Sequence, residues 1–411
     1  MNYNTAILPS GLRVIHRPGS SPVVYCGIAV GAGTRHEAPG QEGLAHFCEH
    51  LSFKGTARRS ALQVINAIEG VGGELNAFTT KEQTTYYCAV TRRHLRQAVD
   101  VLCDIVFCSE YPQGEIEKEC EVVCDEIESY EDSPAELIYD EMENLLFSGH
   151  PLGHAILGTA ERVRSYGSSD VLRFARAHYR PDNAVFFADG DLDFDRLVRH
   201  LEAALPGTAA TLPTVADGPA AVLPPLQAAA EPIVRHRATH QAHVMVGTRA
   251  FAAADSRRWQ LYLLNNMLGG PALNSRLNLA LRERRGLVYT VESSMTCYSD
   301  TGLWTVYFGC DPADVKRCLR LVEGELRRMA ARQLSAPQLA KAKQQLRGQL
   351  AIAADNREQY ALDFARLFLT DSREHHLDDV LRHIEDITPQ QLQDTARLLF
   401  EQQPRTTLVY L

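Results

Sequence analysis

No CxxC pair, no apolar run of membrane-spanning length and no excess of positive charge occur in the 411 residues. Each absence excludes something. Without CxxC spacing, the ten cysteines read as reduced thiols used as small core residues. Cys120 and Cys124 have the i,i+4 spacing of soft-metal ligands, but a buried helix face is the simpler reading. A balance of 42 basic against 51 acidic residues, net −9, disfavours a phosphate-backbone partner, so nucleic acid is not expected. A membrane helix needs about eighteen consecutive apolar residues, and none are present. The start, "MNYNTAILPSGLRVIHRPG", has neither the basic start nor the apolar centre of a secretion signal, and a cytoplasmic protein is expected.

What is present points to folded cores. Hydrophobic residues make up 45% and charged residues 23%, a globular composition, and the length favours two domains. The first half reads as strands "GLRVIHRP" and "PVVYCGIAVGAGTRHE", a helical segment, a glycine-ended helix, paired strands and long helices, closing with "AVFFADGDLD" and "FDRLVRHLEAAL". An Ala/Pro-rich stretch follows, and then the element order repeats from "HVMVGTRAF" to "TTLVYL". The expected fold is α+β: two homologous domains, 1–205 and 233–411, in pseudo-repeat, joined by a linker at 206–232. Each is a mixed, largely antiparallel sheet with helices packed on it.

The segment "GLAHFCEHLSFKGT" carries the strongest chemical signal. On a helix, His46 and His50 stand one above the other on one face, where their ring nitrogens can meet one ion. Glu49 lies one step aside, among apolar neighbours that make a lone carboxylate costly. An amphipathic helix with ordinary polar positions is the alternative. Cys48 as a catalytic nucleophile is a further one, although it points about 100° away round the helix. A catalytic zinc needs a third protein ligand and an open position, and "ECEVVCDEIESYED" offers Glu119 and Glu126, two helical turns apart.

Seven segments together resemble the pitrilysin/insulinase family of inverted-motif zinc peptidases, in its short, mitochondrial-processing-peptidase-like form. They are "GLAHFCEHLSFKGT", "GGELNAFTTKEQTTYY", "ECEVVCDEIESYED", "HPLGHAILGT", "HYRPDNAVFFADGDLD", "LGGPALNSRLNLALRERRGLVYTVESS" and "DTGLWTVYFGCDP". HxxEH is the inverse of the commoner HExxH. The resemblance implies one Zn2+ per chain held by His46, His50 and Glu126, with Glu119 orienting the site and Glu49 as the catalytic base. It also implies that Arg282 and Tyr289 hold substrate at the active site, and that Asn76 and Ala77 of an edge strand contact the substrate backbone. One departure is visible: Pro271, Ala272, Leu273 and Asn274 replace a glycine-rich turn before Ser275 and Arg276, which bears on the flexibility of that loop.

The expected function is therefore zinc-dependent endopeptidase cleavage of peptides or unfolded segments. Longer relatives enclose a chamber with four such domains, so the resemblance implies a homodimer whose partner's second domain completes each site. A heterodimer with a paralogue is the alternative. The rival from another class is a peptide-binding or assembly subunit that keeps the fold and cuts poorly or not at all.

Overall fold

The computed structural model describes residues 3–205, 223–226, 231–237, 239–374 and 376–411. Most of the expected linker, 206–222 and 227–230, lies outside the described residues. Packing groups the chain into two units. The first comprises Met1–Glu128, His154–Pro219 and Ala353–His376; the second comprises Ser129–Gly153, Ala220–Ile352 and Leu377–Leu411.

The first unit holds six strands: β1 (Asn4–Ile7), β2 (Arg13–Pro18), β3 (Val23–Val30), β4 (Glu74–Thr79), β5 (Thr84–Thr91) and β6 (Ala184–Gly190). They lie in the order β1-β2-β6-β3-β5-β4, antiparallel except for the β2/β6 pair, so β4 is an edge. Strand β6 is buried throughout because both faces are covered. Phe186 and Ala188 join the main core, while Val185 and Phe187 meet Ala361, Phe364, Ala365 and Phe368 of the helix Arg357–Asp371. Gly27 in β3 belongs to this close packing: a Cβ there would lie 2.6 Å from the Phe187 ring.

The second unit repeats the plan with β7 (Ile233–Arg235), β8 (Ala242–Ala250), β9 (Val288–Cys297), β10 (Gly302–Cys310) and β11 (Thr406–Tyr410). The order is β7-β11-β8-β10-β9, again with one parallel pair, β7/β11, and with β9 at the edge. One sheet face carries Val306, Phe308, Leu326 and Phe400. The other is covered by Ile138, Met142 and Leu146 of the helix Pro134–Leu146, packed on Met245, Tyr307 and Tyr410.

The sheet-plus-helix plan of both halves follows the expectation from element order. Two features do not. The segment "EIESYEDSPAELIYDEMENLLF" has continuous helical periodicity, yet it is two helices, Gln113–Glu131 and Pro134–Leu146. Pro134 cannot extend the first helix and instead starts the second, which belongs to the second unit and turns its apolar stripe to that unit's sheet. By position in the repeat, Pro134–Leu146 and Arg357–Asp371 are equivalents, and each covers the sheet of the other half of the sequence. Secondly, the segment "NSRLNLALRERRG", where the repeated element order calls for a helix, is π-helical at Asn278–Glu283. Before it, Ser275 is buried, donates its N–H to Ala272 O at 2.9 Å and accepts from Asn278 Nδ2 at 2.9 Å.

Candidate metal centre

The sequence around His46 folds into the helix Leu44–Ser52, and only His50 among its nine residues is not buried. Its entry is set by Gly43 at φ +91°, where a Cβ would lie 2.5 Å from Leu157 O. The first amides are held by a buried carboxylate from outside the helix: Gly43 N and Ala45 N donate to Glu37 at 3.0 and 2.7 Å. His154 Nε2 lies 2.9 Å from the same carboxylate, and buried Lys81 donates to the His154 carbonyl. A negative charge at a helix N-terminus suits the dipole as well as the orphan amides. The inner face is pinned by Ser52 Oγ, which donates to Cys48 O at 2.9 Å and lies 3.0 Å from Tyr86 Oη.

The outer face presents the trio. The His46 and His50 rings lie 4.6 Å apart between centres. Glu126 reaches both from Gln113–Glu131, with its carboxylate oxygens 3.8 Å from His46 Nε2 and 3.3 Å from His50 Nε2. The three donor atoms all lie within 4.8 Å of one another, and no other such group occurs among the described residues. Tetrahedral zinc with ligands at about 2.0–2.1 Å separates them by about 3.4 Å, close to the 3.3 and 3.8 Å already present between Glu126 and the two rings. Two imidazoles and a carboxylate also form a donor set proper to zinc.

Glu119, two turns earlier on the same helix, accepts from His50 Nδ1 at 3.0 Å and pairs with Lys54 Nζ at 2.6 Å. A carboxylate behind a ligating imidazole fixes which nitrogen faces the metal. His46 lacks such a partner: its buried Nδ1 has no hydrogen bond among the described residues.

Burial and charge divide the titratable groups. Burial, with His50 beside it, pushes His46 down to about 4, so it stays neutral. Burial also opposes charge on His50, but the carboxylates of Glu119 and Glu126 outweigh it and raise His50 to about 9. Contact with His50 lowers Glu126. Burial raises Glu49 to about 6 against the hydrogen bond from Thr79, placing it where a carboxylate can take and release a proton near neutrality. Cys48 is fully buried and pushed up to about 12 by that burial, which removes it as a nucleophile. Cys120 and Cys124 lie in the main core, as the apolar reading expected.

The remaining predicted residues fall in two places. Asn76 and Ala77 lie on the edge strand β4, Asn76 exposed and Ala77 packed on the core. Arg282 and Tyr289 pair within the second unit, the guanidinium 5.6 Å from the ring centre, with Tyr289 80% exposed at the start of β9. Sequence reasoning missed Thr79, Lys54, Glu37 and His154. Thr79 was open to it: alternation along β4 puts Thr79 on the face of Leu75 and Ala77, toward the core.

A sheet edge beside a helix bearing HxxEH, with a glutamate from a second helix closing on both histidines, is the arrangement of an inverted-motif metallopeptidase site. The chain belongs to the insulinase family, peptidase family M16. Residues 13–160 match "Insulinase (Peptidase family M16)" and residues 167–346 match "Peptidase M16 inactive domain". An "Uncharacterized zinc protease" of Streptomyces coelicolor is 34% identical over 98% of this chain and 88% of its own length. Another, from Bacillus subtilis, is 30% identical over 94% and 92%. Mitochondrial-processing peptidase subunit beta of Bos taurus is 29% identical over 98% and 83%. Among solved structures, a protease from Helicobacter pylori has the same fold, with TM-score 0.92 at 20% identity over 100% of this chain and 99% of that one.

Proposed function

We propose that this chain is a zinc-dependent endopeptidase acting on peptides or unfolded segments. The observation that carries this is Glu49: a buried carboxylate beside three converging metal donors, tuned to about 6, with one oxygen held by Thr79. A structural metal site has no use for such a group. Zinc held by His46, His50 and Glu126 supplies Lewis acidity, which acidifies water and polarises a carbonyl. The chain's own groups do the rest. A substrate segment adds to the open edge of β4, read through main-chain hydrogen bonds, so sequence selectivity is loose. Glu49 takes the proton of the attacking water and passes it to the leaving amine. Glu119 keeps His50 in one tautomer. The Tyr289 hydroxyl donates to the developing oxyanion, with Arg282 beside it.

We further propose that two copies of the chain build a chamber and that each site takes Arg282 and Tyr289 from the partner. The exposure of Tyr289 supports this. Mixed and exchanged Glu49→Gln and Tyr289→Phe chains then recover activity that neither has alone; no recovery counts against shared sites.

The function is tested by bound-zinc analysis with a quenched fluorescent peptide library, for wild type and Glu49→Gln. Zinc in both with cleavage only in wild type is the expected result. Zinc without cleavage in either favours the binding or assembly subunit.

A further inference from the structure

Glu49 has one side-chain hydrogen bond among the described residues, and it comes from the substrate-facing edge strand rather than from the motif helix. Thr79, the last residue of β4, donates its hydroxyl to Glu49 Oε2 at 2.6 Å, within the range of charge-assisted O–H···O bonds. The hydroxyl has a defined direction. Thr84, directly across the ladder, lies 3.2 Å from Thr79 Oγ1, but its own hydrogen is given to the Ala32 carbonyl at 2.9 Å. Thr84 is fully buried, so that arrangement is fixed. Thr79's one hydrogen is left for the better acceptor, the carboxylate.

A glutamate has three side-chain torsions, and a base must be held close to its working position to be effective. The contact from Thr79 fixes Oε2 and leaves Oε1 as the oxygen that can exchange a proton. It also ties the base to the strand that carries Asn76 and Ala77, three and two residues earlier. We propose that Thr79 is a positioning residue, whose hydroxyl sets the Glu49 carboxylate and couples its orientation to β4, the strand on which substrate docks. This rests on the endopeptidase reading above.

The test uses Thr79→Val, which keeps the shape and loses the hydroxyl, and Thr79→Ser, which keeps the hydroxyl. Each is measured for bound zinc, kcat and KM, and crystallised with and without zinc. Expected for Thr79→Val are zinc content equal to wild type, KM within about twofold, kcat lower by about 10- to 100-fold, and a Glu49 carboxylate turned from its wild-type position. Thr79→Ser is expected to restore kcat to within about threefold and Glu49 to its place. The proposal is overturned by wild-type kcat in Thr79→Val, by equal impairment of Thr79→Ser, or by a loss explained wholly by missing zinc or raised KM. Wild-type crystals without a Thr79–Glu49 contact in either metal state overturn it too, whether or not the chain cuts peptides. An inactive wild type that keeps the contact, with Glu49 displaced in Thr79→Val, refutes the endopeptidase reading and leaves the positioning role standing.

Discussion

The two units share one plan, and their motif helices can be compared residue by residue. In the first, Leu44–Ser52 runs beside the edge strand β4, and Thr79 of that strand holds Glu49. In the second, the helix Arg258–Gly269 stands at the same point of the element order beside β9, and Ser293 of that strand donates to Asn265 Oδ1. Placing Glu49 on Asn265 sets His46, Phe47, Cys48, Glu49 and His50 against Tyr262, Leu263, Leu264, Asn265 and Asn266. The buried middle pair stays apolar in both, while the two imidazoles and the carboxylate are replaced by a phenol and two amides. The helix matching Gln113–Glu131 is Ala336–Ala353, which has no carboxylate and carries Lys341, Lys343 and Arg347. The architecture of strand, helix and edge hydroxyl is thus independent of the chemistry, which resides in a few substituted positions.

The sharpest way to break this comparison is to remove the base in one unit and its counterpart in the other. Glu49→Gln is expected to lower cleavage by about 10³-fold with zinc retained, and Asn265→Ala to leave zinc content at the wild-type level. Zinc lost from Asn265→Ala, measured by metal analysis of the purified chain, refutes the division of labour. Next in size is Glu119→Gln. Losing the carboxylate behind His50 is expected to weaken zinc binding by about 10- to 100-fold, read by competition with a chelator of known affinity. Unchanged affinity reduces Glu119 to a partner of Lys54.

A smaller effect concerns pH. In the metal-free protein, His50 is raised to about 9, so zinc must displace its proton at neutral pH, while His46, lowered to about 4, is already free. Proton competition therefore weakens apparent affinity as pH falls below about 9, by about tenfold per unit between pH 6 and 8. Chelator competition at several pH values reads the slope, and a flat profile contradicts the carboxylate pairing of His50.

How much of this was legible in the sequence depended on how local the signal is. The i,i+4 spacing of His46 and His50 fixes a shared face, and alternation in β4 fixes which of its side chains face the core. The approach of Glu126 to the histidines is a tertiary fact. Its helix offers Glu119 and Glu126 equally by spacing, and only packing against Leu44–Ser52 separates an ion-facing carboxylate from one behind the ring. Helical periodicity likewise cannot say which core a helix faces, so the exchange of Pro134–Leu146 and Arg357–Asp371 was invisible. Glu37 and Lys81 were hidden for a related reason: a buried charge is defined by partners distant in sequence, here backbone amides and a carbonyl.

The two edge hydroxyls provide the finest test, since the same kind of bond is assigned different work. Ser293 Oγ also accepts from the indole Nε1 of Trp304 at 2.9 Å, and Trp304 is fully buried. Ser293→Ala therefore strands the buried indole N–H and takes a donor from the half-buried Asn265 Oδ1, at a cost of about 1–2 kcal/mol in a urea unfolding curve. No metal donor or base contacts Ser293, so zinc content is expected to stay at the wild-type level. Thr79→Val is expected to invert that pattern, because its hydroxyl ends on the carboxylate proposed as the base while its neighbour Thr84 keeps its own partner, Ala32 O. If Ser293→Ala empties the metal site while Thr79→Val only lowers stability, the functional assignments of the two edge strands are reversed.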